Sequence, residues 1–427
     1  MKTSFLRSVS PYSFLIFDIV HTITEYQETT KMNDEFDTNQ NRMLFPTLFL
    51  AYYTNWSPMV ISSLLLIEIA ESFNTPIGIA GQMNTFSSAL AIFAAISAGL
   101  LSIKYGPRKL LLTGLTLHII SGLGAGLSPN LITLFLTYSI SGIALAIVGP
   151  MGSTLVGEHI PMEKRPKTIS WLIVATTLPF VIGSPVVGYI ETLGGWRLSF
   201  FLYHIPLVLL SLLLAYRNIP RSKIDPESDV GLLSGVRGVL SDSSARSILA
   251  GITLTAATYY SIFVYSVSFY RVQFNIPLAW ATIIVSASNL LNVLGTLSGG
   301  RLVSLFGRKS VTVYGCAMVS LVSISYVLVP SMWVSLGIVL LGTVIFGFLS
   351  TAFFSLTLEQ VPEFRSSMMS LFSACMNLGM VLGASVGGFA LIGGEWAFMG
   401  VSIGILGLVG ATVLKIWAVD PITQTNS

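Results

Sequence analysis

The sequence predicts an all-α membrane protein of twelve transmembrane helices, built as two parallel six-helix repeats. Three observations carry this. Of the 427 residues, 53% are hydrophobic and only 10% charged, against roughly a quarter charged in soluble chains. The apolar residues come in blocks of about 20, the length that crosses a hydrocarbon core. One half of the chain also repeats the other at a nearly fixed offset. The composition excludes a soluble enzyme, a disordered chain and a nucleic-acid binder. A net charge of +3 is too small to draw an acidic partner to the whole surface.

In chain order the first six spans are Leu44–Ala70, Ile77–Ser102, Lys109–Ser128, Asn130–Leu155, Ile169–Ile190 and Trp196–Tyr216. The second six are Arg246–Tyr270, Pro277–Val303, Ser310–Pro330, Met332–Thr357, Ser366–Leu391 and Trp396–Ala418. Their runs are continuously apolar rather than alternating, which selects helices over barrel strands. The spans divide the chain into a tail (1–43), a first bundle (44–216), a linker (217–245), a second bundle (246–418) and a short C-terminal tail (419–427). The N-terminal tail is polar. Its apolar piece Phe14–Val20 is interrupted by Asp18 and lacks a small-residue cleavage site, so no signal peptide is expected. The linker is charged and contains Pro220 and Pro226. Gly231–Leu240 within it has the pattern of an amphipathic surface helix. Cys316 and Cys375 fall inside spans and read as packing residues.

Charge orients the bundle. With this span assignment, 20 of the 22 Lys and Arg residues fall in the tails and one set of loops, leaving Arg197 and Arg271 on the other side. Basic loops face the cytoplasm, so both termini are expected there, in a multi-pass protein of the cell membrane.

The repeat is explicit in the punctuation between spans. Phe73-Asn74-Thr75-Pro76 returns as Phe274-Asn275-Ile276-Pro277, 201 positions on. Gly99, Gly106 and Glu158 return as Gly300, Gly307 and Glu359 at the same offset. After one deletion, Arg165, Gly183, Gly188 and Gly194 return as Arg365, Gly383, Gly388 and Gly394 at 200. Six helices per copy is an even number, so both copies enter and leave on the same side. The repeat is therefore parallel, about an axis along the membrane normal. Two such bundles leave a seam near the midplane, a natural place for a solute site open alternately to either side.

The loop Gly99-Leu100-Leu101-Ser102-Ile103-Lys104-Tyr105-Gly106-Pro107-Arg108-Lys109 resembles the G-x-L-a-D-R-x-G-R-R-K signature of the major facilitator superfamily. Gly300 to Gly307-Arg308-Lys309 is its second copy. Glu158 to Arg165 is similar to the family's E-x-x-P-x-x-x-R. Gly183-Ser184-Pro185-Val186-Val187-Gly188 and Gly194-Gly195-Trp196-Arg197 resemble features of its drug and metabolite exporter branch. The resemblance spans residues 44–418 and implies a transporter working by alternating access, with efflux the expected direction and uptake the alternative. It implies gating roles for Gly99, Gly106, Arg108, Lys109, Glu158 and Arg165. Their counterparts Gly300, Gly307, Arg308, Lys309, Glu359 and Arg365 follow by the repeat. Gly183, Pro185 and Gly188 form an expected hinge, since proline frees a backbone carbonyl. Two departures matter. The family's loop Asp is replaced by Ile103 and Ser304, and the Arg associated with proton handling in span 4 is replaced by Tyr138.

Residues three and four apart share a helix face. Thr282, Ser286, Asn289, Asn292 and Thr296 make one polar stripe in span 8, and Ser370, Ser373 and Asn377 another in span 11. Span 2 offers Gln82, Thr85 and Ser88; spans 1 and 7 offer Asn55, Tyr259 and Tyr260. Amides facing lipid are costly, so these face protein or a wet cavity. The expected lining is Asn55, Gln82, Tyr138, Tyr259, Tyr260, Asn289, Asn292 and Asn377, neutral and amphipathic. It suits a small uncharged or weakly charged organic solute. A polytopic membrane enzyme would need clustered His, Asp or Glu at membrane depth, which the spans lack. No metal or other cofactor is expected, and the chain reads as a monomer in the bilayer. For coupling to a proton or another ion, the candidates are Glu68, His118 and His204. Glu68 is expected at a solvated helix end, and both histidines as packing groups.

Overall fold

The computed structural model describes residues 43–161, 164–220, 232–393 and 395–420. The tail with Phe14–Val20, the linker segment 221–231 and Gly394 lie outside these residues, as do the surroundings of Gly99 and the side chain of Arg365.

Among the described residues, eleven helical stretches are long and apolar enough to cross a membrane. Ahead of them runs span 1, a helix over 43–64. At 1.5 Å per residue it is about 33 Å long, enough for the hydrocarbon core. It bends at Leu65 and resumes as Leu66–Ser72, so the predicted Leu44–Ala70 is one span in two pieces. Span 2 is likewise Ile77–Ala80 and Gln82–Tyr105, interrupted at Gly81. Span 3 is Pro107–Gly126 and span 4 Leu131–His159. Span 5 runs from Arg165–Leu178 through a wide π-turn at Pro179–Gly183 into Ser184–Gly194. Span 6 runs from Trp196–Ser199 through a second π-turn, Phe200–His204, into Ile205–Asn218. The second half follows as Ser243–Phe274, Leu278–Phe306, Arg308–Leu328, Met332–Leu358, Arg365–Ile392 and Trp396–Trp417, spans 7 to 12.

The repeat is written in the backbone. Asn74 and Asn275 both have positive φ, 49° and 52°, at the start of the second span of each half. Gly106 and Gly307 have φ of 77° and 80°. Each glycine is the single residue between two helices. That left-handed conformation is cheap only without a Cβ, which explains why the loop glycines recur in register.

Within the halves, span 4 packs on spans 2 and 3, span 10 on spans 8 and 9, and span 7 on spans 11 and 12. Between them, span 2 meets span 11 and span 5 meets span 8, the pairing that the two-fold repeat requires. The end of the bundle carrying loops 105–108, 159–165 and 306–309 is the basic face; the end carrying Glu68 and Arg271 is the opposite face. Toward the opposite face both halves share one apolar core, in which Leu64, Met83, Phe180 and Val187 pack with Tyr265, Ala281, Met380 and Leu391. Toward the basic face each half keeps its own core. Leu48, Leu111, Leu155 and Ala215 belong to one, and Ile248, Leu356, Met368 and Leu414 to the other. The helix Leu232–Ser241 stands where the linker pattern predicts an amphipathic helix. Gly235 and Gly238 lie against Ser367 and Phe364 at the start of span 11, and Val239 is fully buried. It is therefore docked on the second half along one face.

Candidate functional site

Two cavities flank span 1. The larger holds about 620 Å³ of empty space between spans 1, 7, 8 and 10. Ser63, Tyr259, Phe263, Tyr270, Asn289 and Thr343 are among its walls. The smaller holds about 330 Å³ between spans 1, 2 and 4, closed on one side by Met380 of span 11. Asn55, Asn84, Ser88, Tyr138 and Ser141 supply its polar wall. Those figures include open space at the cavity mouths; a water-sized sphere can occupy only about 40 and 30 Å³ of them as the helices stand. The lining is amide, hydroxyl, phenol and aromatic carbon, with no charged side chain in either.

The expected cavity residues divide into groups. Asn55 and Tyr138 line the smaller cavity, and Tyr259 and Asn289 the larger. Tyr259 stacks on Phe346 with ring centroids 3.3 Å apart. Asn289 holds its Nδ2 on the Val285 carbonyl of its own helix at 2.9 Å. Tyr260 lies edge-on to Tyr259 and Phe263 without lining either cavity. The span 8 stripe does not face one space. Thr282 and Ser286 abut span 5, while Asn292 donates to the Thr343 carbonyl of span 10 at 3.1 Å. A straight α-helix rotates its i, i+3, i+4 row slowly about its axis, so five positions sweep past two neighbours. Asn377 donates to Ser373 of its own helix and lines neither cavity. Asn84 was missed by the sequence reading, although it shares a helix face with Ser88.

Gln82 belongs to the contact between halves. Its Nε2 lies 3.3 Å from the Ser385 carbonyl of span 11. A Cβ added at Gly388 would collide with Gln82, Gly78 and Tyr265, and one at Gly188 with Thr282. Gly188 and Gly388, partners in the repeat, thus lie at close crossings between the halves. Gly183 is pressed against the Tyr203 hydroxyl of span 6. Pro185 has no N–H for the carbonyl four residues back, that of Val181. Ser286 Oγ of span 8 lies 2.8 Å from that carbonyl, so the freed acceptor is used across the halves.

Glu68 departs from its expected place at a solvated helix end. Its carboxylate receives both terminal nitrogens of Arg271, at 2.6 and 2.9 Å, and both side chains are only 16% exposed. The pair joins span 1 to span 7, one residue from each half, and Glu191 of span 5 is within electrostatic reach of both. The sequence signal was present: Arg271 is one of two cations on the sparse side, and Glu68 a carboxylate at the same depth. What sequence alone lacked was the approach of spans 1 and 7.

Three of the loop residues, Arg108, Glu158 and Arg165, contact their own half. Arg108 donates to the Tyr216 carbonyl of span 6 at 2.7 Å and lies over its ring. Arg165 donates to the Ile160 and Gly157 carbonyls, closing the end of span 4. Glu158 lies 3.9 Å from His159. His118 and His204 are fully buried. His118 Nε2 meets Asn55 Oδ1 at 2.9 Å, and His204 Nε2 meets the His118 carbonyl at 3.1 Å. Both acceptors require an Nε2 proton. His204 Nδ1 then accepts from Ser57. The histidines tie spans 1, 3 and 6 together. Among the described residues no three His, Cys, Asp or Glu side chains are placed to hold a metal.

Breaking the Glu68–Arg271 pair removes a part-buried ion pair that joins the halves at the opposite face. Glu68→Gln and Arg271→Gln are each expected to favour opening of the opposite face by roughly 1–3 kcal/mol, or 5- to 150-fold. A cysteine at Ser266 should then react faster with an impermeant maleimide from that face, and the Glu68→Arg/Arg271→Glu exchange should restore the slow rate. Unchanged labelling in both single variants would show that the pair does not hold the face shut. Asn289→Leu is expected to reduce solute binding with little change in the unfolding midpoint. Asn292→Leu, which strips a partner from Thr343, should lower the midpoint first; the reverse order would contradict this division of the stripe.

Comparison with known proteins agrees with this architecture. Residues 44–365 match the family described as Major Facilitator Superfamily. The fold is similar to a bacterial homologue of the human lysosomal transporter Spinster, in an inward-facing, unoccupied conformation (TM-score 0.70, 16% identity, 88% of this chain and 93% of that one). It is also similar to the nucleoside transporter NupG (TM-score 0.71, 16% identity, 88% and 98%) and to a D-xylose–proton symporter (0.71, 17%, 89% and 98%). With this family match over three-quarters of its length, on a fold of two six-helix halves enclosing uncharged cavities, the chain belongs to the Major Facilitator Superfamily and is a multi-pass membrane transporter of solutes.

Proposed function

We propose that the protein carries a small, uncharged or weakly charged organic solute by alternating access, binding it in the cavities on either side of span 1. The observation that carries this reading is the division of the core. Among the described residues one core is shared by the halves toward the opposite face, while toward the basic face each half has a core of its own. The 20-to-2 distribution of basic residues supports a cytoplasmic basic face, with both termini there. The described state is then the inward-open one.

The likeness of the Gly183–Gly188 segment to exporters supports efflux. The similar folds of a nucleoside transporter and a D-xylose–proton symporter favour the second reading, uptake by the same mechanism. For ion coupling the candidate is Glu68, the carboxylate that pairs with Arg271 across the halves. Tyr138, in the place of the family's Arg, offers no permanent charge for it.

Proteoliposomes should exchange radiolabelled neutral solutes, with uridine, D-xylose and a neutral aryl amide as the first set, faster than protein-free vesicles. Cells expressing the protein should retain less of the exchanged solute if it is an exporter, and take it up faster if it is a permease. Exchange of charged solutes with none of neutral ones would overturn the proposed substrate class.

A further inference from the structure

The smaller cavity contains an amide with one end in use and the other free. Asn84 is 4% exposed. Its Oδ1 lies 3.1 Å from both Ser62 Oγ and Tyr138 Oη, and those two hydroxyls lie 2.9 Å from each other. The three groups form a closed ring that fixes the amide. Asn84 Nδ2, by contrast, is buried with no hydrogen-bond partner, and Asn84 is part of the cavity wall. A buried amide donor left unpaired is expensive, and native proteins retain such groups where something else satisfies them.

The neighbouring groups restrict what that is. Asn55 Nδ2 is directed to the Leu145 carbonyl and its Oδ1 to His118. Ser141 is directed to the Tyr138 carbonyl. Trp56 and Met380 supply apolar wall. Among the polar side-chain groups of this uncharged wall, Asn84 Nδ2, the Ser88 hydroxyl and the Trp56 indole N–H make no hydrogen bond within the described residues. An anion would find no cation there, and a cation no carboxylate.

We propose that this cavity is a subsite for a neutral hydrogen-bond acceptor, a carbonyl or ether-like oxygen of the transported solute, received by Asn84 Nδ2. Met380 brings the second half to the same subsite, so an occupant touches both halves at once. The proposal rests on the neutral-solute reading above and makes it specific: Asn84 selects solutes by one oxygen.

The test uses the purified full-length protein and a matched pair of probes, acetophenone and ethylbenzene, which share a skeleton and differ by the carbonyl oxygen. Thermal unfolding is followed against probe concentration, since a ligand of the native state raises the midpoint. In the wild type, acetophenone is expected to bind about fivefold to tenfold more tightly than ethylbenzene, the size of one neutral hydrogen bond. Asn84→Leu should abolish that preference and leave ethylbenzene affinity within about twofold. Should the leucine variant fail to fold, Asn84→Ala serves, because Tyr138 and Ser62 still pair with each other. Equal stabilisation by the two probes in the wild type, including none by either, overturns the subsite, as does a preference that survives in a folded Asn84 variant. The vesicle exchange of neutral solutes is measured without reference to Asn84, so failure here leaves the carrier reading standing and failure there removes it.

Discussion

The contact between the two halves at the opposite face is the constraint on which the rest of the structure depends. It is made by small residues at two repeat-related crossings, Gly188 against Thr282 and Gly388 against Gly78 and Gln82. In a bilayer, helices gain little from burying apolar surface against each other, because lipid is equally apolar; close packing and hydrogen bonds decide. Glycine lets the backbones approach, and the approach lets Ser286 reach the Val181 carbonyl and Gln82 the Ser385 carbonyl. The Glu68–Arg271 pair then adds a strong charge contact between the halves at this face. Toward the basic face the described apolar cores are separate, one to each half.

The cavities follow from the same arrangement. Span 1 stands between them, with Asn55 and Met59 facing one and Ser63 the other. It is held in place from behind, where His118 and His204 bond to Asn55 and Ser57. Those histidines are scaffold for the wall rather than part of it. A movement of span 1 would change both cavities and the Glu68 end together, which links occupancy to the state of the opposite face without a separate relay.

Much of this was legible in the sequence. Span number and the short turns at Gly106 and Gly307 follow from hydropathy and from the repeat, because both reflect local requirements: hydrocarbon thickness and a left-handed backbone. The freed carbonyl at Pro185 was legible for the same reason, though not its partner. What was not legible is which neighbour each polar face meets. The span 8 stripe is a single row in sequence, yet it touches span 5, a cavity and span 10 in turn. Gln82 and Gly188 carried the right chemistry, but only the crossing of the halves makes them contact residues. Glu68 and Arg271 lie 203 positions apart, and no periodicity joins them.

In the proposed alternating-access cycle the halves move as bodies about this contact, exchanging closure of one face for closure of the other. Spin labels at Glu71 and Gln273 report the opposite face, and labels at Lys109 and Ser310 the basic face. Paired distance distributions, recorded with and without a transported solute and in Glu68→Gln, should shift reciprocally: a longer 71–273 distance accompanies a shorter 109–310 distance. Distances that stay fixed, or that lengthen on both faces together, would contradict the account.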